Sequence, residues 1–238
     1  MYGWRARIGK VEPSRGDTYQ YEFYQMAPKG VVLVVSIIGL FNMTKEELST
    51  AYLKYKAAAQ ELAQVGVDVI ALGGSPLFQL QGFGSDREMI QDVEQETGIP
   101  TLTGLTAEVE AMRVLNMKKI VIATPFKEEV NERSADWYRQ SGIEVLKIKG
   151  MGIDKPAEMA RLPFYASYRL AREAFLETPG ADGIFIACPR WGTIEIIDKL
   201  EQDLGVPVVT GSQAATWLSL RKAHVREPIH GYGRLMEI

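Results

Sequence analysis

Three segments of this sequence occur twice, in the same order along the chain and at nearly constant spacing. They pair 7–13 with 119–125, 67–76 with 181–190, and 98–107 with 205–214, at offsets between 107 and 114 residues. Any two βα units share some apolar pattern, but the last pair also repeats a Gly-x-Pro step and a Thr-Gly step. A repeat of this length predicts two similar structural halves.

Short runs rich in Val and Ile alternate with longer amphipathic runs, which is typical of a parallel sheet with crossover helices. The strands are predicted at 7–12, 31–38, 68–73, 101–103, 119–124, 145–149, 183–187 and 206–210. The helices are predicted at 44–65, 85–97, 107–115, 127–141, 164–177, 192–204 and 214–222. Thr44 and Glu47 match the pattern of a capping box at the start of the first helix.

The predicted fold class is therefore α/β, with two similar Rossmann-like lobes whose parallel four-stranded sheets are related by pseudo-twofold symmetry. We expect residues 1–116 with 215–238 to form the first lobe and 117–214 the second, packed closely as one catalytic unit. No linker rich in Pro and Ser separates the two.

Composition excludes several classes of protein. With 238 residues, 46% hydrophobic and 24% charged, the chain can bury a core, and a net charge of −3 gives no general attraction to nucleic acid. The longest apolar stretch, 30–41, is too short to span a membrane, and the first ten residues lack a signal peptide's apolar run. One cysteine forbids an intrachain disulfide and fits a reducing compartment. We expect a cytoplasmic protein with no nucleic-acid or membrane partner; the sequence leaves open whether it forms a homo-oligomer.

Open parallel sheets bind ligands beyond the carboxyl ends of their strands. In this chain those ends are the segments 13–16, 73–75, 103–104, 124–126 and 188–190. If the two halves face each other, segments 74–75 and 188–190 meet across one cleft. Glycine there lets backbone N–H groups approach an anion closely, so the sequence predicts an anion site.

Cys188 is the predicted catalytic residue. A lone cysteine is more often a small buried apolar residue, but this one ends a predicted strand and lies two residues before Arg190. A nearby cation and N–H donors lower the pKa of a thiol. Because no His, Lys or carboxylate stands beside it in sequence, Cys188 suits proton transfer better than hydrolysis. His224 and His230 are interpreted as surface residues, their spacing does not match a zinc-binding helix, and no metal site is predicted.

Several motifs extend over nearly the whole chain: RIGKVEPS at 7–14, GVDVIALGG at 66–74, IATPFKEEVNER at 122–133, ADGIFIAC at 181–188, LGVPVV at 204–209 and GYGRL at 231–235. They resemble the aspartate/glutamate racemase superfamily, and within it the group of arylmalonate decarboxylases and maleate isomerases. The resemblance implies acid/base chemistry without a cofactor, on a small carboxylic acid, in a cleft between two similar lobes.

In this superfamily the number of cysteines is informative. Racemases and maleate isomerases carry one in each lobe, whereas arylmalonate decarboxylases keep only the second. The repeat places Gly74 where the first cysteine would stand and Cys188 where the second does. A single thiol can protonate one face of an enediolate and cannot by itself remove a proton from the other. The resemblance thus implies decarboxylation followed by protonation by Cys188, and excludes racemisation by the two-cysteine route.

The residues expected to hold the substrate carboxylate depart from the family's pattern. Ser75 supplies the first expected hydroxyl, but Pro76 replaces a second, and Phe126 stands where the group has Tyr. Pro189 follows the cysteine where decarboxylases have Gly, and it has no N–H to donate. Gly16 replaces the Asn with which maleate isomerases bind a carboxylate. By analogy with other oxyanion holes, each lost donor costs about 3 kcal/mol of barrier.

Two arginines are candidates to compensate for these losses. Arg190 and Arg15, which follows Ser14, lie in predicted strand-end loops, and each is able to bind a carboxylate through a bidentate fork. A solvated surface position is an equally good interpretation for Arg15. Thr124 is expected to shape the anion pocket with Gly74 and Ser75. Trp191 and Phe126 either line the pocket or pack in the core.

Three functional hypotheses remain open from the sequence. The first is a cofactor-independent decarboxylase of a malonate-like acid with Cys188 as proton donor. The second is a cis-trans isomerase or another enzyme that uses Cys188 as a nucleophile on a small unsaturated acid or an amide-like carbon. The third is a protein that binds a small acid without turning it over, in keeping with the lost donors at 76, 126 and 189.

Overall fold

A computed structural model describes residues 2–40 and 45–238. The strands within those residues are β1 Ala6–Glu12, β2 Val31–Ile37, β3 Val69–Leu72, β4 Thr101–Thr103, β5 Lys119–Thr124, β6 Glu144–Gly150, β7 Gly183–Ile186 and β8 Val208–Thr210. They form one sheet with the order β2-β1-β3-β4 and a second with the order β6-β5-β7-β8. Every pairing is parallel. The predicted α/β class, with two parallel four-stranded sheets, is confirmed, as are all the predicted strands.

Helices connect the strands. They are α1 Thr18–Met26, α2 Lys45–Gln64, α3 Ser75–Gln81, α4 Ser85–Thr97, α5 Gly104–Val114, α6 Glu128–Gln140, α7 Pro156–Met159, α8 Phe164–Leu176, α9 Ile197–Leu204 and α10 Gly211–Lys222. The helix predicted at 192–204 begins later, with a 3-10 turn at Ile194–Ile196 before α9. The sequence did not predict α1, α3 and α7. The capping box includes Thr44, which lies outside the described residues.

In each half, an equivalent aspartate binds the backbone near the start of a central strand, β1 in the first sheet and β5 in the second. The Asp68 carboxylate accepts the Arg7 N–H at 2.7 Å in the first sheet. The Asp182 carboxylate accepts the Lys119 N–H at 2.9 Å in the second. In both, the aspartate N–H donates back to the same residue's carbonyl, at 2.8 and 2.7 Å. The repeat read from the sequence is therefore matched by this pair of contacts in each half.

A second pair of matched contacts joins helix ends to the last strands. Gly98 and Gly205 both end a helix in the left-handed conformation that glycine adopts without steric cost. In the turn before each, a glutamate reaches forward to a strand N–H, Glu94 to Thr101 at 2.8 Å and Glu201 to Val208 at 2.9 Å. The Gly-x-Pro step of the repeat thus marks the same helix-to-strand connection twice.

Contacts divide the chain into two compact units. The first unit contains residues 1–15, 27–107 and 218–226, and the second contains 16–26, 108–217 and 227–238. The lobes expected from the repeat differ from these units at 16–26, 108–116, 215–217 and 227–238. Residues 16–26 group with the second unit because α1 bonds to the loop after β7, through Thr18 and Glu22.

The central strands of each sheet form the core of their unit. All four residues of β3 are buried in the first unit, and all four of β7 in the second. Burial of such apolar side chains is the main stabilising contribution of each sheet. None of the helices in the described part of the chain is long and apolar enough to cross a membrane.

Candidate active site

Cys188 lies two residues beyond β7, at the carboxyl edge of the second sheet, as predicted. Its backbone has φ +80°, a conformation that a residue with a Cβ adopts only at a cost of about 1–2 kcal/mol. The side chain is 9% exposed, and its Sγ lies 4.0 Å from the Sδ of Met159. Strained backbone of this kind persists only where the surrounding structure fixes it, and it is common at functional sites.

The loop that follows Cys188 is fixed by hydrogen bonds to its own turn and to two helices. The Cys188 carbonyl accepts the Trp191 N–H at 3.1 Å, which closes the turn. The Arg190 carbonyl accepts the Thr18 hydroxyl of α1 at 3.1 Å. The Ser167 hydroxyl of α8 lies 3.2 Å from the Gly192 carbonyl and 2.6 Å from the Phe164 carbonyl, so the two carbonyls share its one proton. The backbone that follows the thiol is thus fixed by a bond within its own turn and by contacts with α1 and α8.

Glu22 of α1 binds the end of the same loop. Its Oε1 accepts the N–H of Thr193 at 2.5 Å and that of Ile194 at 3.1 Å, and the residue is 1% exposed. Burial raises the pKa of Glu22 from 4.5 to about 7, although the Ser212 hydroxyl and the two N–H donors lower it. Nothing in the local sequence marks this glutamate, so the sequence analysis missed it.

The two residues after the cysteine are both half-buried. A Cβ on Gly16 would lie 2.8 Å from Nη1 of Arg190, so the guanidinium packs directly over that glycine. The ring of Pro189 packs against Gly211 at the start of α10, 3.3 Å from where a Cβ would be. Trp191 is fully buried and packs in the core, which decides between its two predicted roles.

Thr124 and Phe126 follow β5, the strand that pairs with β7. The Thr124 hydroxyl is fully buried, donates to Asn131 Oδ1 at 2.6 Å and accepts the Phe126 N–H at 3.1 Å. The Phe126 carbonyl accepts from the Asn131 amide at 3.4 Å. Thr124 therefore shapes the turn, together with the Asn of the EEVNER motif, and Phe126 is half-buried beside it.

In the first unit, Gly74 occupies the turn after β3 with φ +90°. A Cβ at this position would lie 2.6 Å from the Tyr55 hydroxyl and 2.7 Å from Cγ of Pro13, both closer than real Cβ atoms come. Tyr55 is fully buried and donates to the Gly73 carbonyl at 2.6 Å, and burial raises the pKa of its phenol. The turn has no room for a side chain at Gly74.

The remaining predicted residues of the first unit lie at the same sheet edge, because β1 and β3 are paired. Ser75 is half-buried and begins α3, with Pro76 as its second residue. Ser14 is 8% exposed and Arg15 is exposed. Each unit thus brings its own predicted residues together: Ser14, Gly74 and Ser75 in the first, and Thr124, Phe126 and the 188–190 segment in the second.

The structure also contains a buried polar pair that the sequence did not predict, Glu108 and Tyr138, and a groove away from the predicted residues. The Glu108 carboxylate, 3% exposed, accepts the Tyr138 hydroxyl at 2.6 Å and lies 3.5 Å from where a Cβ on Gly211 would be. His224 and His230 are exposed, as predicted. Among residues 2–40 and 45–238, no three His, Cys, Asp or Glu side chains are grouped to hold a metal ion. A surface groove of about 570 Å³ contains none of the predicted residues and is lined by residues of α8 and the residue that follows it: Tyr168, Arg169, Arg172, Glu173, Leu176 and Glu177.

Comparison with known proteins decides the family. The family model for arylmalonate decarboxylase matches residues 10–236. The chain belongs to the arylmalonate decarboxylase family. It is 29% identical to the arylmalonate decarboxylase of Bordetella bronchiseptica, over 97% of this chain and 96% of that protein. It is 26% identical to the maleate isomerase of Pseudomonas putida, with the same two coverages.

A solved structure of unliganded arylmalonate decarboxylase superposes with a TM-score of 0.85 at 28% identity, covering 98% of this chain and 99% of that one. These relatives are enzymes of lyase and isomerase type. The resemblance to the arylmalonate decarboxylase and maleate isomerase group is confirmed.

Proposed function

We propose that this protein removes CO₂ from a malonate-like acid and protonates the resulting enediolate with Cys188 alone. The observation that carries the proposal is the difference between the two turns: one holds a thiol at φ +80°, and its counterpart holds Gly74 with no room for a side chain. Family membership supports a decarboxylase, since a relative of that name aligns over 97% of the chain.

The reaction requires one proton donor and one electron sink. The bond between the α carbon and one carboxylate breaks, CO₂ leaves, and the electron pair stays on the α carbon and the remaining carboxylate as an enediolate. The Cys188 S–H then donates its proton to the α carbon, and the thiolate regains a proton from water. No group other than the thiol and water has to change its protonation state.

Binding of the substrate is assigned to the residues singled out in the sequence, Ser14, Arg15, Gly74, Ser75, Phe126, Pro189 and Arg190. Thr124 contributes through the turn that it shapes after β5. Arg190 is the proposed partner of a carboxylate, through a bidentate guanidinium fork. Phe126 and Pro189 add apolar surface where donors are expected, which favours a bulkier and more apolar substrate than maleate.

The test is incubation in D₂O with a panel of substituted malonates, maleate and related small acids, followed by NMR. We expect release of CO₂ and one deuterium on the α carbon of the product. Cys188→Ala and Cys188→Ser should abolish turnover, whereas Met112→Leu, which removes a buried sulfur elsewhere in the second unit, should retain it. Full activity in both cysteine variants would refute the proposal.

A second candidate is isomerisation with Cys188 as nucleophile, favoured by the 26% identity to a maleate isomerase. It would appear in the same experiment as conversion of an unsaturated acid without CO₂ release, and as a covalent adduct on the thiol. Thermal stabilisation by a panel member, with no reaction in D₂O, would instead indicate a binding protein.

A further inference from the structure

The conformation of Cys188 needs an external hold. A backbone φ of +80° is strained for a residue that has a Cβ, and without other contacts the loop would relax toward negative φ. The loop between Cys188 and the 3-10 turn at Ile194–Ile196 belongs to no regular element, so no sheet or helix ladder fixes it. Whatever fixes this segment therefore fixes where the thiol points.

Helix α1 supplies that hold at two points one turn apart. Thr18 donates to the Arg190 carbonyl, and Glu22 accepts two successive N–H groups, from Thr193 and Ile194. A carboxyl oxygen accepts hydrogen bonds in either protonation state, and burial shields these two bonds from water. Helix α1 thus binds one carbonyl group and two N–H groups of the loop.

Helix α1 is itself held firmly in the second unit. Tyr19, Phe23 and Met26 are at most 4% exposed, so α1 is anchored by the apolar face beside Glu22. The far end of the helix is bonded too, since the Tyr232 hydroxyl donates to the Gln25 carbonyl at 2.9 Å. A carboxylate on such a helix has little freedom to follow the loop if the loop moves.

We propose that Glu22 is a positioning residue for Cys188: by binding Thr193 and Ile194 it keeps the 188–194 loop in the conformation that holds the thiol buried at the end of β7. The inference rests on the proposed role of Cys188 as the reacting group. Glu22 acts through the loop backbone and takes no part in the proton transfer.

Glu201 offers a matched control. It also lies in the second unit, is 7% exposed and binds two backbone N–H groups, of Val208 at 2.9 Å and Arg234 at 3.0 Å. Neither of those residues belongs to the Cys188 loop. Glu201→Ala therefore removes a buried carboxylate of the same kind without releasing the thiol.

The experiment uses the fact that Cys188 is the chain's single cysteine, so alkylation by iodoacetamide reports this thiol alone. Rates are measured by intact mass on the folded protein, together with the midpoint of thermal unfolding. Glu22→Ala should raise the alkylation rate about tenfold, because the freed loop exposes the thiol. Glu22→Gln keeps an oxygen acceptor and should stay within about threefold of the unmodified protein, and Glu201→Ala within about twofold.

Equal alkylation rates for Glu22→Ala and the unmodified protein, or equal acceleration by Glu22→Ala and Glu201→Ala, would overturn the proposal. If Glu22→Ala does not fold, Glu22→Asp provides the same test, because its shorter side chain draws the carboxyl group away from the N–H groups of Thr193 and Ile194, with an expected acceleration of about threefold. Alkylation needs no substrate, so its outcome is separate from that of the decarboxylation assay. A failed decarboxylase hypothesis shows as the absence of CO₂ release, or as CO₂ release retained without the thiol, whatever the alkylation rates are.

Discussion

The turn after β3 and the turn after β7 share a positive φ but differ in the residue that adopts it. Gly74 has φ +90° and Cys188 has φ +80°, and the residue before each donates its N–H to the neighbouring central strand, Gly73 to Val11 at 2.8 Å and Ala187 to Ala123 at 3.0 Å. In the first turn the Tyr55 hydroxyl takes the space that a Cβ would need. The repeat preserves a positive φ in both units, and only the second unit places a thiol at that position.

The groups that hold the two turns also differ. The first is held by the neutral Tyr55 phenol, whose pKa is raised by burial, so it keeps its proton across the working range of pH. The loop after the second is held by Glu22, a carboxyl with a pKa near 7. The first turn is thus insensitive to pH, and the second depends on an ionisable group.

The largest expected effect comes from giving the second turn the residue of the first. Cys188→Gly should lower turnover by about 10²–10⁴, the usual contribution of a general acid. Its free energy of unfolding should change by less than about 1 kcal/mol, because relief of the strain at φ +80° offsets the lost burial of the thiol. Assays of turnover and of denaturant unfolding check both parts. A large loss of stability would show that the thiol is there mainly for packing.

The reverse change tests the closure of the first turn. Gly74→Ala should lower the free energy of unfolding by about 3 kcal/mol, from a strained φ and from contacts below 3.0 Å with Tyr55 and Pro13. Gly66→Ala is the matched control, since Gly66 has φ +73° in the same unit but no atom within 4 Å of its Cβ. It should cost about 1–2 kcal/mol, the strain alone. Equal losses in urea unfolding would mean that the turn at Gly74 has room for a side chain.

The next prediction distinguishes Glu22 from Tyr55 by the pH dependence of the free energy of unfolding. The pKa of Glu22 is raised from 4.5 to about 7 by burial and by Glu195, and it is lowered by Ser212 and the loop N–H groups. The folded state binds this proton more tightly than the unfolded state does. Protonated Glu22 therefore contributes fully to the free energy of unfolding below pH 4.5, and this contribution, about 3 kcal/mol, is lost as pH rises through 7. Glu22→Gln should flatten this part of the stability profile between pH 4.5 and 8, whereas Tyr55→Phe should leave its slope unchanged. A profile that keeps its slope in Glu22→Gln contradicts the assignment.

The sheets could be read from the sequence because each strand is a short apolar run and each half repeats the other. The helices that were missed had weaker signals. Tyr19, Phe23 and Met26 of α1 do follow helical spacing, but polar and aromatic residues between them hide the period. The Gly-Ser-Pro sequence at 74–76 reads as a turn, although Pro is favourable in the first turn of a helix and α3 begins there.

The site was predictable only in part. Strand ends and the repeat identified Cys188, Gly74 and their neighbours without any structure. Glu22 and Tyr55 were out of reach because their role is set by tertiary contacts: each binds backbone distant in sequence, Thr193 and Gly73 respectively. Thr124 was expected to shape the anion pocket, but its bond to Asn131 shows that the hydroxyl is used within the protein, in the turn after β5.

The measurement that tests the central claim most directly is to return one pure enantiomer of the decarboxylation product to the protein and follow its optical purity. The protein has one thiol, and the turn equivalent to that of Cys188 carries no side chain. A single acid/base group exchanges a proton on one face only, so we predict that optical purity stays unchanged at enzyme concentrations that complete decarboxylation. Racemisation that disappears in Cys188→Ala would contradict the account, since it would require a second proton-transfer group.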